Sequence, residues 1–183
     1  MTTEKKDVIA LLEDQHQEIR RLFGVVERAT GEERQDAFRD LVRLLSVHET
    51  AEEELVHPEV RRQEGGAPIV EARIGEEHRA KELLSTVDEM GPDAEGFDTL
   101  LIQLRDDVLA HAEHEERSEF PLLRRAYDRK RLEAMADTVR AAEAVAPTRP
   151  HPGTESAAKN MLLGPPAALM DRARDAIRSI LKR

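Results

Sequence analysis

Apolar positions recur along this chain at helical spacing, in blocks separated by glycine and proline. Val8, Leu12, Ile19, Phe23 and Val26 predict a helix from about Lys6 to Arg28, closed at Thr30-Gly31. A second helix is predicted from near Glu32 to about Arg62, carrying Phe38, Leu41, Leu44, Leu45 and Leu55, with Gly65-Gly66-Ala67-Pro68 after it. Pro58 should kink or fray its last turns. A third helix runs from about Pro68 to Glu89, stopped by Gly91-Pro92. A fourth runs from near Asp93 to about Arg131 through Leu100, Leu101, Leu104, Val108 and Leu122, and Pro121 should bend it. The short connections make neighbouring helices antiparallel, so residues 1–130 are expected to form an all-α, up-down-up-down four-helix bundle.

Beyond it, residues 131–146 continue the helical pattern. Residues 147–166 hold Pro147, Pro150, Pro152, Pro165 and Pro166 and read as a linker or strap. Residues 167–183 read as a basic amphipathic helix, with Leu169, Met170, Ala173, Ile177, Ile180 and Leu181 on one face and Arg172, Arg174, Arg178, Lys182 and Arg183 around it. Docking of that stripe on the bundle is favoured. A partner or an anionic membrane surface is the alternative.

The second half of the bundle repeats the first. His48-x-x-x-Glu52 and His111-x-x-x-Glu115 lie 63 residues apart, as do Pro58 and Pro121. A lone histidine precedes each pair, His16 and His78, offset by 62. Spacing of i,i+4 puts imidazole and carboxylate on one helix face, one turn apart. His16, His48, Glu52, His111 and Glu115 fall on the apolar stripes of their helices, whereas His78 has only Ile74 on its face and rests on the repeat. His57, His114 and His151 lie off the repeat and read as incidental; Glu53 and Glu116 adjoin the paired glutamates. The Glu-x-x-His spacing at Glu13/His16 and Glu54/His57 mimics a ferritin-type motif but does not occupy equivalent repeat positions.

Composition narrows the chemistry. The chain of 183 residues has no cysteine, so any metal must be held by nitrogen and oxygen. A net charge of −10 repels phosphate backbones and argues against nucleic acid as a partner. No apolar run reaches the roughly 20 residues of a membrane span, and the first residues lack a signal-peptide core, so the expected compartment is the cytoplasm.

A carboxylate in a bundle core without counter-charge costs several kcal/mol. Two of them beside four imidazoles call for a cation. The donors suit iron or manganese, with zinc possible. Two octahedral ions offer about 12 positions, of which four histidines, two bridging carboxylates and a bridging oxygen leave about two open to a small ligand.

The order His16, His48-x-x-x-Glu52, His78, His111-x-x-x-Glu115, with the Glu-Glu…Pro continuations Glu52-Glu53…Pro58 and Glu115-Glu116…Pro121, resembles the hemerythrin-like (HHE cation-binding) domain over roughly residues 7–130. The resemblance implies a hemerythrin-like bundle with a C-terminal helical extension. It also implies two non-heme iron ions in an oxo- or hydroxo-bridged pair, held by those six residues, in preference to manganese or zinc. Dioxygen, nitric oxide or peroxide would be the small ligand. Oxygen-carrying hemerythrins place a second histidine one turn from the lone one on the third helix, where this chain has Ile74 and Glu82. Glu82 could stand in as a ligand. The departure favours a sensor, an oxidant scavenger or a di-iron protein of another role over a pure oxygen carrier. The alternatives are a peroxide-consuming di-iron enzyme and a helical interaction module whose histidines are incidental.

Overall fold

The helical stripes read from the sequence become the core of an all-α bundle, described by a computed structural model over residues 5–145 and 166–182. Helix α1 spans Val8–Arg28, with the Asp7 side chain accepting from the Ala10 amide as its N-cap. Helix α2 (Gly31–Ala51) runs into a π-helical turn, Glu52–Val56, and then α3 (His57–Arg61). Helix α4 covers Gly66–Met90 and α5 covers Phe97–His114. A second π-turn, Glu115–Glu119, leads into α6 (Phe120–Ala126), followed by α7 (Arg129–Val145) and α8 (Pro166–Leu181). Among the described residues, no helix is long and apolar enough to cross a membrane.

The expected proline kinks take a specific form. Pro58 and Pro121 have no N–H, and their rings would strike the carbonyls of Glu54 and Arg117 in a regular helix. The turn ahead of each proline widens, so the His57 amide bonds to the Glu52 carbonyl and the Phe120 amide to the Glu115 carbonyl. Both π-turns begin on the glutamate of a His-x-x-x-Glu pair. Other boundaries move by a few residues. Helix α5 starts at Phe97 rather than Asp93, after Gly96 at φ 86°. The fourth bundle helix stops at Ala126 rather than Arg131, because Tyr127 adopts extended backbone. Helix α4 starts two residues before Pro68, at Gly66, where a Cβ would sit 1.9 Å from the Val60 carbonyl oxygen.

Helix α1 packs on α2, α5 and α7, and α4 packs on α5 and α3. Helix α8 lies against α2 and α7. This second layer explains why α2 is buried without interruption from Leu45 to Ala51, as a helix covered on both sides must be. The apolar interior divides into two clusters. One gathers Leu12, Ala51, Val70 and Phe120 with α7 and α8; the other gathers Ile19, Leu45, Ala80 and Val108. Between them, at one height on all four bundle helices, the buried residues are polar: His16, His48, Glu49, Glu52, Arg73, Glu77, His111, Glu115 and Glu119. Sequence positions 147–165, the expected strap, lie outside the described residues.

Candidate metal centre

Each bundle helix contributes to this polar layer from its inward stripe. On α1, His16 lies between Leu12 and Ile19; on α2, His48 follows Leu45; on α5, His111 follows Val108. The two π-turns deliver Glu52 and Glu115, both at 0% exposure. His48 Nε2 is 3.2 Å from Glu52 Oε1, while His111 Nε2 is 4.0 Å from Glu52 Oε2. His16 Nε2 is 3.3 Å from Glu115 Oε2, while His111 Nε2 is 3.4 Å from Glu115 Oε1. Each carboxylate therefore turns one oxygen toward the His16/His48 side and the other toward His111.

Donor atoms of His16, His48, Glu52 and Glu115 all lie within 4.8 Å of one another, and so do those of Glu52, Glu77, His111 and Glu115. Either group could hold a metal ion, and Glu52 and Glu115 belong to both. The fit is chemical as well as geometric. His16 Nε2, His111 Nε2 and both oxygens of Glu52 and of Glu115 are buried without a hydrogen-bond partner. Buried polar atoms are seldom left so in a native fold, and a divalent cation between them would satisfy the whole set.

The outer ring nitrogens are held. His16 Nδ1 is 2.8 Å from Glu116 Oε1, His48 Nδ1 is 2.7 Å from Gln15 Oε1, and His111 Nδ1 is 3.0 Å from Glu76 Oε2. Carboxylate and amide oxygens only accept, so each Nδ1 carries a proton and each Nε2 faces inward. The surrounding carboxylates outweigh the burial of His111 and raise it well above its usual range, so that ring would release its Nε2 proton on binding a metal. The support reaches beyond the four helices, since Gln15 donates in turn to Glu143 of α7 at 2.5 Å.

The charges are set by burial and crowding. Burial, together with the neighbouring His16 imidazole, pushes His48 down to about 3, which keeps it neutral and ready to ligate. Burial and the facing Glu115 push the Glu52 carboxyl well above its usual range. Glu115 is held well below that range, because the His111 and His16 imidazoles outweigh its burial. Glu49, buried near Glu77, is pushed up to about 8. A divalent ion would relieve the carboxylate repulsion directly.

The third bundle helix departs from the expectation. His78 points out of the bundle with its side chain 73% exposed, and its neighbour is Glu82, itself 69% exposed, at 3.3 Å. Neither joins the cluster. The inward stripe of α4 is Val70, Arg73, Glu77, Ala80, Leu84 and Val87, so His78 falls one residue, about 100° of helix, off that face. Glu77 occupies the inward place at 1% exposure. Of the six expected residues, five meet in the cluster and the sixth position is taken by a carboxylate.

His57, read as incidental, is also buried. Its Nδ1 lies 2.7 Å from Glu119 Oε1 and its Nε2 is hydrogen-bonded to Glu77. The two carboxylates outweigh burial and raise His57 to about 11, so it is an imidazolium. Lys81 adds a second cation, 3.5 Å from Glu77 and paired with Glu53. Glu116 and Glu53, the neighbours of the inward glutamates, are thus supports of His16 and Lys81. His114 is exposed and sits 3.0 Å from Glu76; His151 lies outside the described residues.

A helical bundle enclosing a His/Glu cluster that could hold metal defines a class of cation-binding domain. The hemerythrin HHE cation binding domain family matches residues 7–123, and the chain belongs to that family. The fold resembles the crystal structure of a hemerythrin HHE cation binding domain-containing protein from Mycobacterium kansasii, with a TM-score of 0.66 and 20% identity over 76% of this chain and 86% of that one. A DNA nickase of Nostoc sp. is 28% identical over 139 residues, which is 75% of this chain and 38% of the nickase. The chain thus aligns with well under half of that relative's length.

Proposed function

We propose that this protein holds two non-heme iron ions in the polar layer and uses them to bind or sense a small ligand: dioxygen, nitric oxide or peroxide. One ion would be held by His16 and His48, the other by His111 and Glu77, with Glu52 and Glu115 bridging. The observation that carries this reading is the convergence of unpartnered His16 Nε2, His111 Nε2 and all four oxygens of Glu52 and Glu115 in one buried layer. Iron so held would supply redox chemistry and a binding position for the small ligand. The chain's own residues orient the imidazoles through Glu116, Gln15 and Glu76 and exclude water with the apolar clusters on either side. Having a carboxylate where a histidine would complete a nitrogen-rich set favours sensing or scavenging over oxygen storage.

The activity named for the nickase is not part of this reading. The chain covers 38% of that protein, and a net charge of −10 disfavours a phosphate backbone. The test is anaerobic Fe(II) loading of the full chain, followed by separate exposure to dioxygen, nitric oxide and peroxide. Two irons per chain and near-ultraviolet charge-transfer bands after oxygen are expected. Full iron loading of a His48→Ala, His111→Ala double variant would refute the reading. Peroxide turnover that scales with iron content would identify an enzyme instead of a sensor.

A further inference from the structure

We propose that the two metal positions are inequivalent, with Glu77 making the second one exchangeable and selective for a harder divalent cation than the first. This rests on the metal-binding reading above and concerns how the two halves of the layer differ.

The first position offers two imidazole nitrogens, His16 and His48, with one oxygen from each bridging glutamate. It is also braced. The two rings meet edge to face at 4.9 Å, Phe120 stacks on His16 at 5.8 Å, and both Nδ1 atoms are anchored. The second position offers one nitrogen, from His111, and three carboxylates, Glu52, Glu77 and Glu115. Nitrogen donors favour the later first-row ions, whereas an oxygen-rich set narrows the gap between zinc and manganese.

A further observation weakens the second position. Glu77 shares its charge with the His57 ring and with Lys81, 3.5 Å away, so it has less to give a metal. Attraction there is more electrostatic and less dependent on directed nitrogen donation. The first position should therefore fill first and hold tighter.

Metal-free full-length protein given one equivalent of Zn2+, then one of Mn2+, and desalted, will test this by native mass spectrometry and Mn2+ electron paramagnetic resonance. Chains carrying one zinc and one manganese should dominate, with the six-line signal of isolated Mn2+. Random filling, in which about half the chains are mixed and the rest carry two like ions, would overturn the inequivalence and leave the two-metal reading intact. Retention of one zinc with no manganese would also overturn it. Binding of neither ion would refute the metal reading itself. Glu77→His should move the distribution toward random filling, with helical content by circular dichroism confirming the fold. A folded Glu77→His variant that keeps the wild-type distribution would overturn the role of Glu77.

Discussion

His57 Nδ1 lies 2.7 Å from Glu119 Oε1, a contact between two buried side chains from the two halves of the repeat. With Nε2 bonded to Glu77, the imidazolium neutralises part of a carboxylate cluster that no solvent reaches. Replacing it with an apolar residue strands two buried carboxylates. His57→Leu should destabilise the metal-free protein by about 3–5 kcal/mol, the usual effect of breaking one side of a buried pair, as read from urea unfolding. A change under about 1 kcal/mol would mean that the pair is solvated in solution.

The same contact gives the metal-free protein a pH dependence. His57 is raised from 6.5 to about 11. The folded chain therefore holds a proton that the unfolded chain has released, and the stabilisation is full below 6.5 and lost as pH rises toward 11. Glu49, raised from 4.5 to about 8, acts with the same sign at lower pH. Between pH 8 and 10 His57 should lower stability by at most about 1.4 kcal/mol per pH unit, in addition to any fall from His111, which its carboxylate neighbours also raise. Urea unfolding of wild type and His57→Gln across that window will check it. Equal slopes in the two proteins would count against the assignment.

Helix α4 can be tested by a pair of neighbours. His78→Ala removes an exposed side chain and should change stability by no more than about 0.5 kcal/mol, with metal content unchanged. Glu77→Ala should leave one tightly held ion per chain and release the second. The opposite pattern, metal lost with His78 and kept without Glu77, would show that α4 is rotated relative to the structure described above.

The ring supports carry a milder prediction. Gln15→Leu removes the acceptor for His48 Nδ1 and should lower affinity at the first position by about 10–100-fold. Competition with a chelator of known strength would read this, and unchanged circular dichroism would separate it from misfolding.

Much of this site was legible from spacing alone. His48, Glu52, His111 and Glu115 share apolar stripes and a repeat, and burial follows from that. Glu77 was hidden because α4 has a weak stripe, with Ile74 39% exposed and Arg73 turned inward. Next to a histidine at nearly the right offset, residue type outweighed phase. His57 and Glu119 were hidden by the π-turns. An extra residue in each turn shifts the phase of everything after it, so counting at 3.6 per turn from Glu52 misplaces His57. The proline signal was present in the sequence, but it predicted a kink and not the direction in which the following side chains would face.

Helix α8 offers the last test. Leu169, Met170, Ala173 and Ile177 are buried against α2 and α7, whereas Ile180 and Leu181, expected on the same stripe, are exposed at the end of the helix. On its basic side, Arg178 Nη2 is 2.8 Å and Arg174 Nε 3.2 Å from Glu54 Oε1. The apolar contact should dominate. Ile177→Ala should cost about 2–5 kcal/mol, while Arg178→Ala, whose side chain is 55% exposed, should cost no more than about 1 kcal/mol. Removing residues 146–183 should lower the thermal midpoint and expose the faces of α2 and α7 that α8 covers. The intact chain should show no affinity for anionic vesicles, because docking and membrane insertion need the same four apolar side chains. Vesicle binding by the intact chain that Ile177→Asp abolishes would show that α8 leaves the bundle for the membrane surface.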